Sequence, residues 1–89
     1  MFDYDIYNKQ YILCIKDKNG YLQNNPYYFA KMLGINIDKL IEINNYYNGK
    51  FLHRNDFPYN ASFIFDNVFE IINCIDFLNS ILVMNKLTK

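Results

Sequence analysis

Residues 67–87 read NVFEIINCIDFLNSILVMNKL, with no Gly or Pro and with apolar side chains at helical spacing. Asn67 followed by Glu70 is a helix-opening pattern: Asn67 can accept from free backbone N–H groups and Glu70 can reach back. At about 100° per residue, Val68, Ile71, Ile72, Ile75, Leu78 and Leu82 share one face, the expected core stripe. Cys74, Phe77, Ile81 and Met84 form a second strip beside it. Glu70, Asn73, Asp76 and Ser80 are left as a narrow polar face. A helix this widely apolar needs neighbours on two sides. The spacing therefore predicts that the second strip is a contact surface, for a two-fold dimer or for a target protein.

Composition limits what the rest can be. Eighty-nine residues make one domain, 1–89, with room for one core. A hydrophobic share of 52% excludes disorder. Nine basic and nine acidic residues cancel, which argues both against a duplex binder and against an acidic DNA mimic. The abundance of Asn, Ile, Tyr, Phe and Lys points to a low-GC genome. Met1-Phe-Asp-Tyr-Asp5 lacks the positive and apolar regions of a signal peptide. Glu70, Asn73, Asp76 and Asn79 interrupt the long apolar stretch, so no membrane span is expected and the chain reads as cytoplasmic. Cys14 and Cys74 fall at apolar positions and read as buried, reduced thiols.

Working back along the chain, Lys9–Leu22 looks like a hairpin: a strand at 11–15, turn chemistry at Asp17-Lys-Asn-Gly20, and a return from Tyr21. Residues 1–8 could extend the first strand, against the polar Asp3, Asp5 and Asn8. Asn25 and Pro26 open a helix that stops at Gly34. A second helix runs from about Ile37 to Tyr47, with Leu40, Ile41 and Ile43 inward, and Asn48-Gly49 ends it. Lys50–His53 and Ala61–Phe65 are short strands around a loop containing Pro58. The order ββααββα predicts an α+β domain, a small antiparallel sheet packed by helices, with a long C-terminal helix.

Phe29-Ala-Lys-Met-Leu-Gly-Ile35, followed by Leu40 and Ile43, resembles the helix-turn-helix of bacterial and phage regulators. The resemblance implies an Ala30 contact between the helices, a turn at Gly34, and DNA reading by Asn36, Lys39 and Asn45. The second helix, however, turns one cation and two anions outward (Lys39 against Asp38 and Glu42), whereas phosphate contacts need Lys and Arg. His53 beside Arg54 and Asp56 reads as a solvated loop edge. Cys14, Cys74 and His53 are too few and too scattered for zinc, and the three glycines each punctuate an element rather than cradle a phosphate. No carboxylate pair suited to acid–base chemistry stands out. No enzyme, metal or cofactor is expected.

Tyr46, Tyr47, Phe57 and Tyr59 lie at element ends or in the loop, among Asn44, Asn45, Asn48, Asn55 and Asn60. Tyr beside Asn is a composition of protein-binding surfaces, large rigid area next to adaptable hydrogen bonding. With Cys74, Phe77, Ile81 and Met84 these aromatics are the expected protein interface. In size, composition and lack of a catalytic motif the chain resembles accessory proteins of phages and mobile elements, among them anti-CRISPR and other anti-defence inhibitors. That resemblance implies a protein target, a host defence complex, and transfers no functional residue.

Overall fold

The computed structural model describes residues 1–53 and 61–87. The elements run β1 (Phe2–Tyr7), β2 (Gln10–Lys16), β3 (Leu22–Gln23), α1 (Pro26–Leu33), α2 (Ile37–Tyr46), β4 (Lys50–His53), β5 (Ala61–Phe65) and α3 (Val68–Leu87). This is the expected α+β architecture, an antiparallel sheet packed by helices, with one strand more than the sequence reading counted. The sheet order is β1-β2-β5-β4, and β3 also pairs with β2.

The added strand is β1. Residues 2–7 pair with β2 along their whole length, from Phe2 opposite Ile15 to Tyr7 opposite Gln10. Asn8 and Lys9 turn the chain with φ of 52° and 64°, the doubly positive geometry of a two-residue hairpin. Without a glycine there, the turn leaves little mark in the sequence. The return strand predicted from Tyr21 is present but short: Leu22 and Gln23 pair with Lys16 and Ile15. Asp17 shapes the loop between, its carboxylate accepting from Asn19 and Tyr21 N–H groups at 2.9 and 2.8 Å.

Both short helices start and stop on local chemistry. Asn25 Oδ1 accepts from Tyr27 N–H at 2.9 Å ahead of Pro26. Gly34, at φ 71°, lets the N–H of Ile35 reach back to the Ala30 carbonyl at 3.1 Å, the six-to-one closure that satisfies a helix end. α2 ends in the same way with Asn48 in the left-handed position: Gly49 N–H meets the Asn44 carbonyl at 2.8 Å.

α3 lies against the sheet and the helix pair. Its core side is Ile71, Cys74, Ile75 and Leu78, packed on Leu13, Phe29, Leu33, Leu40, Phe63 and Phe65. Asn67 caps it, accepting from Phe69 and Glu70 N–H groups at 2.8 and 3.3 Å. The Glu70 carboxylate does not reach back to complete a capping box; it accepts from Asn48 Nδ2 instead. The stripe is rotated from the predicted one: Cys74 is in the core, while Ile72 reaches the surface. The middle and the C-terminal end of α3 tie into other elements through Asn79, which meets both backbone groups of Phe2, and Asn85, which donates to the Leu33 carbonyl at 3.0 Å.

Polar residues interrupt α3 without removing its overall apolar character. By length and composition Val68–Asn85 is apolar enough to cross a bilayer, and only 22% of that window is buried in the domain. Phe69, Ile72, Phe77, Val83 and Met84 are the large apolar side chains that α3 leaves exposed.

Candidate functional site

Lys39, Glu42, Ile43 and Tyr46 recur at i, i+3, i+4 and i+7 and so share one face of α2. Tyr47 follows at the helix end, where the left-handed Asn48 turns the backbone away. α3 brings Phe77 alongside. Together these six side chains line a groove of about 400 Å³. Tyr46 and Tyr47 stand nearly perpendicular, centroids 5.0 Å apart at 84°. Phe77 forms a third ring, 6.1 Å from Tyr47 and tilted by 43°. Tyr46 is 79% exposed and Phe77 42% exposed. Partial burial, with Cys74 and Tyr46 adding to it, raises the Tyr47 phenol above its ordinary pKa. The charged rim is one ion pair, Lys39 Nζ to Glu42 Oε2 at 3.7 Å.

The predicted interface is thus partly assembled and partly dissolved. Tyr46, Tyr47 and Phe77 meet in the groove, joined by Lys39, a residue of the DNA alternative. Cys74 is withdrawn from it: fully buried, its thiol donates to Asn44 Oδ1 at 3.6 Å, and burial pushes its pKa up to about 12. Ile81 is partly buried against the core, so the helix pair and sheet cover the inner half of the second strip. Met84 stays 63% exposed two turns beyond Phe77. Phe57 and Tyr59 lie outside the described residues. Asn44, grouped with the surface asparagines, is fully buried, and its Nδ2 donates to the Leu40 carbonyl at 2.9 Å.

No family model matches the chain, and neither does any curated protein or solved structure. The site is read from its own geometry. For the DNA alternative that geometry is unfavourable. Asn36 Oδ1 is engaged as the α2 cap, accepting from Lys39 N–H at 2.8 Å, and Lys39 is the one cation of α2 against Asp38 and Glu42. Asn45 is exposed on α2. Among the described residues there is no group of three His, Cys, Asp or Glu side chains placed to hold a metal.

Glu42 and Ile43 are the groove residues that sequence reasoning did not assign to a site. Their spacing from Lys39 and Tyr46 on one helical face was available in the sequence. Phe77, a turn after Cys74 on α3, could be joined to them only through tertiary packing.

Proposed function

We propose that this chain is a protein-binding module that acts without catalysis, occupying a partner's surface through the groove between α2 and α3. The observation that carries this reading is the cluster of Tyr46, Tyr47 and Phe77 around one open groove. Aromatic side chains supply large contact area at small entropic cost and dominate interface energetics. Exposed apolar side chains of α3 extend the surface toward Met84. Small size, balanced charge and the resemblance of type to phage accessory proteins support a finer proposal, inhibition of a host defence complex such as CRISPR–Cas.

The test is an affinity capture from host lysate, with and without nuclease, using the parent and a Tyr46→Ala/Phe77→Ser variant as baits. A protein retained by the parent after nuclease and lost with the variant supports the proposal. Capture that disappears with nuclease supports DNA binding by α1 and α2 instead. A partner held equally by both baits puts the contact elsewhere.

A further inference from the structure

The groove combines π faces with a carboxylate. Glu42 lines it directly. The charged side chains that line the groove are one carboxylate, Glu42, and one cation, Lys39. That cation already sits against Glu42, and both side chains are more than half exposed, at 57% and 72%. Exposed pairs of this kind are weak and exchange readily with another cation.

We propose that the groove receives an arginine side chain presented by the protein partner. The inference rests on the binding-module reading and names the chemistry of its partner. A guanidinium stacks flat on aromatic faces and offers a fork of donors to a carboxylate, whereas an ammonium does neither as well. Tyr46 and Tyr47 provide two near-perpendicular walls and Phe77 the third. Glu42 supplies the acceptor at the rim. In the free protein Lys39 holds that carboxylate, and the incoming guanidinium displaces it. The volume of the groove, about 400 Å³, suits a side chain with its flanking backbone better than a lone ammonium ion.

The experiment uses the full chain, labelled with ¹⁵N, and capped pentapeptides of alanine with one central residue: arginine, citrulline, norleucine or trimethyl-lysine. The arginine peptide is expected to bind at millimolar concentration and to shift amide resonances of residues 39–48 and those around Phe77. Citrulline and norleucine peptides should bind about threefold to thirtyfold more weakly. Glu42→Gln should weaken arginine binding and Lys39→Ala should strengthen it, opposite signs that a structural role for the pair would not give. Tyr46 is largely exposed, so Tyr46→Ala keeps the fold, checked by an unchanged melt, and should abolish binding. Equal binding by norleucine would overturn the arginine inference and leave the docking proposal standing. So would preference for trimethyl-lysine, which cannot donate to Glu42. Absence of binding by every peptide also overturns it, while the lysate capture separately decides whether the groove docks a protein.

Discussion

Asn44 carries more of this fold than its polarity suggests. Its side chain joins the Leu40 carbonyl to the Cys74 thiol, and its own carbonyl receives the N–H groups of Tyr47 and Gly49 that close α2. Asn44→Ala keeps the backbone contacts but leaves a void and an unpartnered thiol, so we expect a loss of about 1–3 kcal/mol in urea melts. Asn44→Asp should cost more at neutral pH and recover on acidification, because burial raises a carboxyl pKa and only the neutral form fits. The thiols set the opposite end of the pH range. Burial, with Asp3 and Asp5 adding to it and Lys16 opposing, raises Cys14 from 9.0 to about 11; burial alone raises Cys74 from 9.0 to about 12. Above pH 9 the unfolded chain releases protons that the folded chain retains, so stability falls as pH rises toward those values. By pH 10.5 each thiol should cost about 2 kcal/mol. Urea melts of the parent and of Cys14→Ala at neutral and alkaline pH check this: the variant should lose less on the alkaline step.

Elements defined by local chemistry were legible, and those defined by distant partners were less so. Asn25-Pro26 and Gly34 mark α1 because capping and left-handed closure involve only neighbours in sequence. β1 was obscured because its turn, Asn8-Lys9, lacks glycine and because its alternate residues Asp3 and Asp5 face away from the helices. The candidate site divides along the same line. Lys39, Glu42, Ile43 and Tyr46 declare a shared helical face, whereas the inward side of α3 cannot be fixed by periodicity in a helix apolar around most of its circumference. Cys74 and Ile72 were exchanged between core and surface for that reason. Gly49 shows how closely α2 and β4 are joined over the sheet. A Cβ there would fall inside van der Waals contact of the buried Phe65 ring. Gly34 has open space around it by comparison, and its need is for a positive φ alone. Gly49→Ala should therefore cost about 1–3 kcal/mol through overpacking, seen as a lower urea midpoint at unchanged slope.

At the scale of the whole molecule, α3 presents two apolar shoulders separated by the polar ridge of Asn73, Asp76 and Ser80. Phe69, Ile72 and Val83 occupy one shoulder; Phe77 and Met84 occupy the other, continuous with the groove. A second copy packing helix to helix would cover such a shoulder, and so would the partner proposed for the groove; the two then compete for the same residues. A decisive variant must strip this surface without touching the core. Ile81 is unsuitable because it packs partly against the core cluster. Phe77→Ser with Met84→Lys alters two exposed positions of that shoulder and leaves Ile71, Cys74, Ile75 and Leu78 in place. We expect the double variant to melt cooperatively within about 1 kcal/mol of the parent, as substitutions outside the core usually do. If the shoulder pairs with its own copy, light scattering should give a dimer for the parent at high concentration and a monomer for the variant. If it serves only a foreign partner, both proteins should scatter as monomers and only the variant should fail in the lysate capture. A variant that unfolds would place Phe77 within the cooperative core, and the contact surface would then have to lie on the opposite shoulder, around Phe69 and Val83.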